Sequence, residues 1–488
     1  MNATADDSSL EVVHVGEAAW PRWQQIGFRY LLCHALLYAF PMPVAAWFHT
    51  LAQGLSCLAN RLELPLLREG VFTWPRTVAS ALGGDPQGGA SGMIEQAWQA
   101  ITTWLHGSGL TPIAVVHQPT GSGDTGHEWV KLGCIVVLAA AITLAWSLLA
   151  KASRGYPRLG RWLHLYARWY LAFVLLSYGL HKVYGGQFGE LDPMRLTQEV
   201  GDKSGMGMVW LFMAASRPYE LFGAFGEVAA GLLLLHRRTA LLGCLVAIVV
   251  MANVCALNWL YDVPVKLFST HLLAFAVFLL APYAGRLWAL LVTNRPSAPV
   301  DLAVVHRAWL AWLLAIFGWS WAVAHLVETH VTSTREVAAR EARQPRPALS
   351  GVWDVERMVW DGVESPAGDA ASWRQFGIDR GFAFARGAGG QPTWFRYAED
   401  LAAGTVSLTP AAGGEPATLR CERGRKIVKE QTVDPPTMER YMERVDVERA
   451  TLVLRGTLGN RQLELHLVQR SHPLQRGFRF VQELPFHR

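Results

Sequence analysis

Apolar runs of about twenty residues, the length that crosses a bilayer as a helix, recur through the first part of this chain. They cover Ile26–Phe48, Trp129–Leu149, Leu165–Tyr184, Tyr219–Leu235, Thr239–Leu260, Leu267–Leu287 and Ala308–Val327. Such a series defines the expected fold: an α-helical integral membrane bundle of about seven transmembrane helices. Of 488 residues only 17% are charged, against about 25% in a typical soluble protein. The deficit is local, because from Glu336 onward charges return every few residues. The expected organisation is a cytoplasmic segment over 1–25, a transmembrane helical domain over 26–328 with an outer loop over 50–128, a linker over 329–348, and a soluble β-rich domain over 349–488.

The basic residues between the runs are a topology signal. Lys151, Arg154, Arg158 and Arg161, then Arg237 and Arg238, then Arg286, Arg295 and Arg307 fall in alternate connections. The positive-inside rule puts those connections in the cytoplasm, so the N-terminus is inside and the C-terminal domain is extracytoplasmic. The first fifteen residues lack a basic segment, so the first helix is expected to direct insertion itself. A net charge of +5 does not point to a nucleic-acid partner. Of the six cysteines, Cys33, Cys134, Cys244 and Cys255 lie in apolar runs, and a Cys57–Cys421 disulfide is left open.

In the outer loop Ile94, Ala97, Trp98, Ile101 and Leu105 recur at helical spacing, which predicts an amphipathic helix. Thr125-Gly-His-Glu128 has the form of a capping box at the start of the second span.

A charge inside a membrane helix costs about 2.5–3.5 kcal/mol, so ionisable residues there are candidates for a site or a pair. The third span ends Tyr178-Gly-Leu-His181-Lys182, the fourth carries Glu220 and Glu227, and the fifth and sixth meet at Asn258-Trp-Leu-Tyr-Asp262-Val-Pro-Val-Lys266, with His271 a turn further on. Gly223, Glu227 and Gly231 are four apart and share a helix face, where small residues admit a close neighbour. In the expected orientation Lys182, Glu220, Asp262 and Lys266 lie near the outer surface, His271 roughly 10 Å in, and Glu227 near mid-membrane. One outer-facing polar cavity is expected, with Lys182, Glu227 and His271 as catalytic candidates. Tyr178, His181, Glu220, Asn258, Asp262 and Lys266 are candidates for substrate contact. Simpler readings stand beside these: the lysines snorkel to the interface, Asp262 turns the chain, and Asn258 joins two helices. No metal-ligand spacing occurs in these segments.

These segments resemble the DoxX-like family of bacterial membrane proteins, in a long form with a C-terminal β-rich extension. The resemblance rests on Tyr178-Gly-x-x-Lys182 with Gln187-Phe188, on Gly226-Glu227 with the apolar run to Arg237-Arg238-Thr239, and on Asn258-x-x-Tyr261-Asp262-Val-Pro-Val-Lys266. The ending Arg476-Gly-Phe-Arg-Phe-Val-Gln-Glu483 is similar too. It implies a four-helix core in the bacterial cytoplasmic (inner) membrane and an association with quinone-linked redox systems. The chain is then an oxidoreductase or its membrane subunit, with a quinone as cofactor and a redox subunit as partner. A fainter similarity points to the membrane domain of vitamin K-dependent carboxylases. There two adjacent lysines supply a base; here the pair is His181-Lys182, so only Lys182 carries over.

In the C-terminal part short alternating runs are bounded by turns, as at Asp361-Gly362 and Gly459-Asn460, with Leu452 and Leu454 alternating in and Leu463, Leu465 and Leu467 alternating back. This predicts an antiparallel barrel or sandwich, and Gly351-x-Trp353 is similar to a lipocalin opening. Three functional classes stay open: a quinone- or isoprenoid-linked redox component, a lipid or small-molecule transporter, and a non-catalytic anchor presenting the β domain.

Overall fold

The structure is a computed structural model that describes residues 19–42, 44–45, 47–49, 52, 92–117, 120–150, 155–305, 307–366, 372–387, 391–433 and 442–470, without side chains for 429–433 and 442–446. Two compact units emerge. One comprises 1–187 and 217–333, the other 188–216 and 334–488.

The first unit is helical. Its main elements are α1 (Arg22–Ala39), α2 (Met93–Gly107), α3 (Gly126–Leu149) and α4 (Pro157–Val183). After α5 (Pro193–Thr197) and α6 (Gly205–Ala214), which belong to the second unit, follow α7 (Arg217–Leu235), α8 (Ala240–Leu260), α9 (Lys266–Leu280), α10 (Ala284–Leu291) and α11 (Ala308–Arg343). Among the described residues five helical stretches are long and apolar enough to cross a membrane: α3, α7, α8, the stretch Lys266–Leu291 and α11. Helix α3 shows why. Only His127, Val130, Ile135, Ala139 and Thr143 are buried along its length, while Val137, Leu144, Leu148 and Leu149 face outward. A helix apolar all round belongs in lipid.

Two expected spans differ from the reading above. The first was expected to reach Phe48, but α1 stops at Ala39, ahead of Pro41, whose ring cannot continue a helix. Helix α4 has ample length but holds Arg158, Arg161, Arg168, His181 and Lys182, which lower its apolar content. It is nonetheless the best-buried helix of the unit: Leu171, Ala172, Phe173 and Leu175 are all at most 1% exposed. Helices α7 and α9 pack against it, and α8 lies against both of those.

Close packing of α4 on α7 depends on two glycines. A Cβ on Gly231 would lie 2.7 Å from the Leu176 side chain and 3.0 Å from the Ala172 carbonyl oxygen. One on Gly179 would meet Ala224 and Val228 backbone atoms at 3.0 Å. Gly223, also expected at a contact, faces open space. Helix α2 confirms the amphipathic helix expected in the outer loop, with Trp98 and Thr102 buried.

The second unit is built on a barrel. Its strands are β1 (Gly351–Trp360), β2 (Val363–Glu364), β3 (Trp373–Asp379), β4 (Phe382–Gly387), β5 (Pro392–Asp400), β6 (Thr405–Pro410), β7 (Ala417–Val433), β8 (Met442–Leu458) and β9 (Arg461–Gln469). Neighbours from β3 to β9 pair antiparallel in chain order, β1 pairs with β3, and β1–β9 pairing from Trp353↔Gln469 to Trp360↔Leu463 closes the ring at eight strands. Strand β2 is a short hairpin extension of β1. This is an up-and-down barrel of lipocalin-like form. The turn at Asp361-Gly362 has positive φ at both residues, 49° and 83°, as a two-residue hairpin demands. Phe376, Ile378, Leu408, Leu419, Leu452, Leu454 and Leu465 point inward and are fully buried. Side chains therefore fill the interior.

Residues 329–343, most of the linker expected over 329–348, continue α11 without a break. Phe188–Ser216, expected within the membrane domain, groups instead with the barrel unit. There Arg346 bonds Glu190 at 2.5 Å, and Arg386 reaches the Met194 sulfur at 3.7 Å. Cys57 lies outside the described residues, and Cys421 is a free thiol.

Candidate functional site

The expected site residues fall into three groups. The first is an ion pair between α4 and α7. Lys182 Nζ donates to Glu227 Oε1, and the two residues are only 8% and 3% exposed. A helical side chain leans toward the N-terminus of its own helix. Lys182, near the C-terminal end of α4, thus runs back into the bundle instead of snorkelling out. Glu227 Oε2 is buried without a partner among the described residues. The carboxylase similarity implies a base at Lys182; here its Nζ is engaged by Glu227. Beside the pair, Arg217 donates to the carbonyls of Lys182, at 2.9 Å, and of Val183, and to Glu220 Oε2 at 2.5 Å. It closes the C-terminal end of α4, whose last carbonyls have no helical partners. Glu220 is thus a buried partner of Arg217. His181 is exposed and packs over Gly186, where a Cβ would strike the imidazole at 2.3 Å. Tyr178, 44% exposed, tilts against Phe268 at 5.9 Å.

The second group is a clasp at the start of α9. Asp124, from the glycine-rich segment before α3, accepts from Lys266 N at 2.8 Å and Leu267 N at 3.0 Å. It caps α9 from 142 residues away. Lys266 Nζ lies 2.7 Å from Asp262 and 3.7 Å from Asp124. Asp262 takes a positive φ of 53° and is a turn residue. Asn258 is 5% exposed and bonds the Val265 carbonyl at 3.5 Å, fastening the same turn. Three candidates for substrate contact, Asn258, Asp262 and Lys266, thus hold this connection together. Thr125 caps α3 by accepting from Glu128 N, as the capping box predicts. Loss of a side-chain cap costs about 0.5–2 kcal/mol. Asp124→Ala is therefore expected to lower the thermal midpoint of the purified protein by an amount matching about 1 kcal/mol; an unchanged midpoint would show the clasp to be idle.

The third group contains His271, and it departs from the single cavity expected. His271 turns toward α1. There a cavity of about 280 Å³ is lined by Tyr30, Leu31, His34, Ala35, Leu163, Thr270, His271, Ala274, Phe275 and Phe278. Neither Lys182 nor Glu227 lines it. The two imidazoles meet tip to tip: Nε2 to Nε2 is 3.4 Å, ring centroids are 5.6 Å apart, and the planes differ by 4°. Tyr38 stacks on His271 at 3.8 Å.

The proton positions follow. Nδ1 of His271 bonds the Leu267 carbonyl at 2.8 Å, and a carbonyl only accepts, so that nitrogen carries hydrogen. Nε2 of a neutral His271 is then an acceptor, and His34 Nε2–H donates to it. This leaves His34 Nδ1 bare, and it is buried with no partner among the described residues. The pair therefore has a place for one more proton. Sequence reasoning found His271 but missed His34, Tyr38 and Asp124. His34 and Tyr38 are four apart in an apolar run, and that spacing on a membrane helix was the available signal.

Fold and sites define the class: a helical bundle with several helices able to cross a membrane, joined to a closed antiparallel barrel. No family model matches the chain, and no solved structure matches it. Over 113 residues it is 40% identical to the uncharacterized protein YwoB of Bacillus subtilis (strain 168), an alignment covering 23% of this chain and 71% of that protein. Through that segment the chain belongs to the family of that protein.

Proposed function

We propose that this chain is a DoxX-like protein of the bacterial cytoplasmic membrane that binds a quinone or a related isoprenoid lipid as the membrane component of a redox system. Seven spans, counting α1 and α4 with the five apolar stretches, put the N-terminus inside and the barrel outside. The observation that carries the reading is the cavity between α1, α4 and α9. Most of its wall is hydrocarbon and aromatic, from Leu31, Ala35, Leu163, Ala274, Phe275 and Phe278, which suits an isoprenoid tail or a flat ring. Its polar groups are the coupled imidazoles, with Tyr30 and Thr270. In the neutral pair both ring hydrogens are committed, so His34 Nδ1 can accept from a ring hydroxyl, and once it takes up a proton it can donate to a ring carbonyl.

On this reading Lys182 and Glu227 hold the bundle in register, while His34 and His271 meet the ligand. The test is lipid binding by the purified full chain. A quinone should co-purify or bind saturably, and His271→Phe, which keeps a flat ring without nitrogens, should weaken binding at least about tenfold, the worth of one hydrogen bond in an apolar site. Absence of saturable binding to wild type would end the redox reading. One observation favours the anchor reading instead: the filled barrel interior leaves the β domain as a cap or docking body.

A further inference from the structure

A separate cluster joins α2 to the start of α3. Glu95, His127 and Glu128 each offer one ligand atom, and these atoms lie within 4.8 Å of one another. His127 is 4% exposed.

The orientation of its ring is fixed by a short chain of hydrogen bonds. Thr102 Oγ1 lies 3.1 Å from the Gln99 carbonyl and 2.9 Å from His127 Nδ1, so its single hydrogen can serve either. With that hydrogen on the carbonyl, Nδ1 carries the ring hydrogen and Nε2 turns a lone pair toward the carboxylates, as a metal ligand must. Nε2 lies 2.8 Å from Glu95 Oε1 and 3.9 Å from Glu128 Oε1. Without a metal the other tautomer serves, with Nε2–H donating to Glu95 Oε1.

We propose that Glu95, His127 and Glu128 form a zinc site that clamps α2 to α3. Tetrahedral zinc with bonds of about 2.0–2.1 Å needs ligand atoms about 3.3 Å apart, and the two observed distances straddle that value. The ring hydrogen bonded to Thr102 is the outer support that a metal-binding histidine requires. Each carboxylate divides its oxygens: Oε1 faces His127, and Oε2 faces Lys131, at 2.7 Å from Glu95 and 3.6 Å from Glu128. Lys131 thus neutralises one carboxylate from outside and leaves the inner oxygens free. Water would fill the fourth position; the His117 ring stands edge-on to His127 at 5.0 Å. Glu95 and His127 lie 32 residues apart, which is why no short metal motif announces them.

The test uses the full chain in detergent, stripped with a chelator and titrated with zinc alone. One ion per chain should bind, and cobalt in its place should give the visible absorption of a four-coordinate ion, a readout that needs no variant. His127→Ala should lose the ion. Lys131→Met breaks an ion pair yet removes a repelling positive charge, so it should bind zinc about tenfold more tightly while melting lower without metal. If the stripped wild type takes up no zinc and shows no cobalt absorption, the His127–Glu95 contact is a plain hydrogen bond and the proposal fails. It fails equally if Lys131→Met weakens zinc binding as His127→Ala does.

Discussion

Lys182→Met is expected to destabilise the helical unit by about 3–5 kcal/mol, the usual result of stranding one partner of a buried ion pair. Glu227 is 3% exposed, and one of its oxygens already lacks a partner among the described residues. Without Lys182 the carboxylate has no counter-charge, so it must protonate or draw in water. Glu227→Gln should cost a similar amount for the mirror reason, since it leaves the buried ammonium unpaired. The double variant Lys182→Met with Glu227→Leu discriminates. Replacing both members of a buried pair with apolar side chains of similar volume is often neutral or stabilising, so this protein should regain near-wild-type stability. Its lipid binding should persist, because the His34–His271 cavity is lined by neither residue. A double variant that folds but binds no lipid would return Lys182 and Glu227 to the site, as in the single cavity expected from the sequence. Denaturation of the purified variants, each assayed for ligand, separates these outcomes.

Gly231→Val should have the second large effect, with loss of monodisperse protein. Overpacking a core costs about 1–3 kcal/mol and more where nothing can yield. At Gly231 the new Cβ meets not only the Leu176 side chain but the Ala172 carbonyl, part of the α4 backbone. Relief requires the helices to separate, and separation pulls Lys182 from Glu227. Gly223→Val, two turns earlier on the same helix, is the control: its Cβ meets nothing within 4 Å, so the variant should behave as wild type. Size-exclusion profiles and melting curves of the pair would expose any error, since equal damage from both would mean that α4 and α7 are not packed this way.

Much of the fold was legible because its signals are local. Apolar runs marked helices, helical spacing marked α2, and Thr125 with Glu128 marked the start of α3. Alternating leucines with Asp361-Gly362 and Gly459-Asn460 marked hairpins. Closure of the barrel was not legible, because it rests on β1 meeting β9 over a separation of more than a hundred residues. The site was half legible for the same reason. The depth of Glu227 demanded a partner, and Lys182 was among the candidates. Nothing local says that His271 faces His34, 237 residues away, or that Asp124 caps α9 from a loop before α3. Asp262 and Lys266 at the head of α9 are bonded to each other, and Asp124 caps the helix, a clasp that the sequence could not separate from a binding rim because turn-forming and ligand-holding side chains share one chemistry. Phe188–Ser216 was assigned to the membrane domain because it connects two spans, and nothing local shows that it groups with the barrel unit; its apolar helix Gly205–Ala214 has ten residues, too few to span.

The central claim is that a quinone-like isoprenoid lipid occupies the cavity between α1 and α9. The most direct measurement is photocrosslinking of the purified full chain with a light-activated isoprenoid quinone, followed by mapping of the labelled peptides. The account predicts saturable labelling within Tyr30–Ala35 or Thr270–Phe278, competed by unlabelled quinone and lost in His271→Phe. Saturable labelling confined to the surroundings of Lys182 and Glu227 or to the barrel, or no saturable labelling at all, would contradict it.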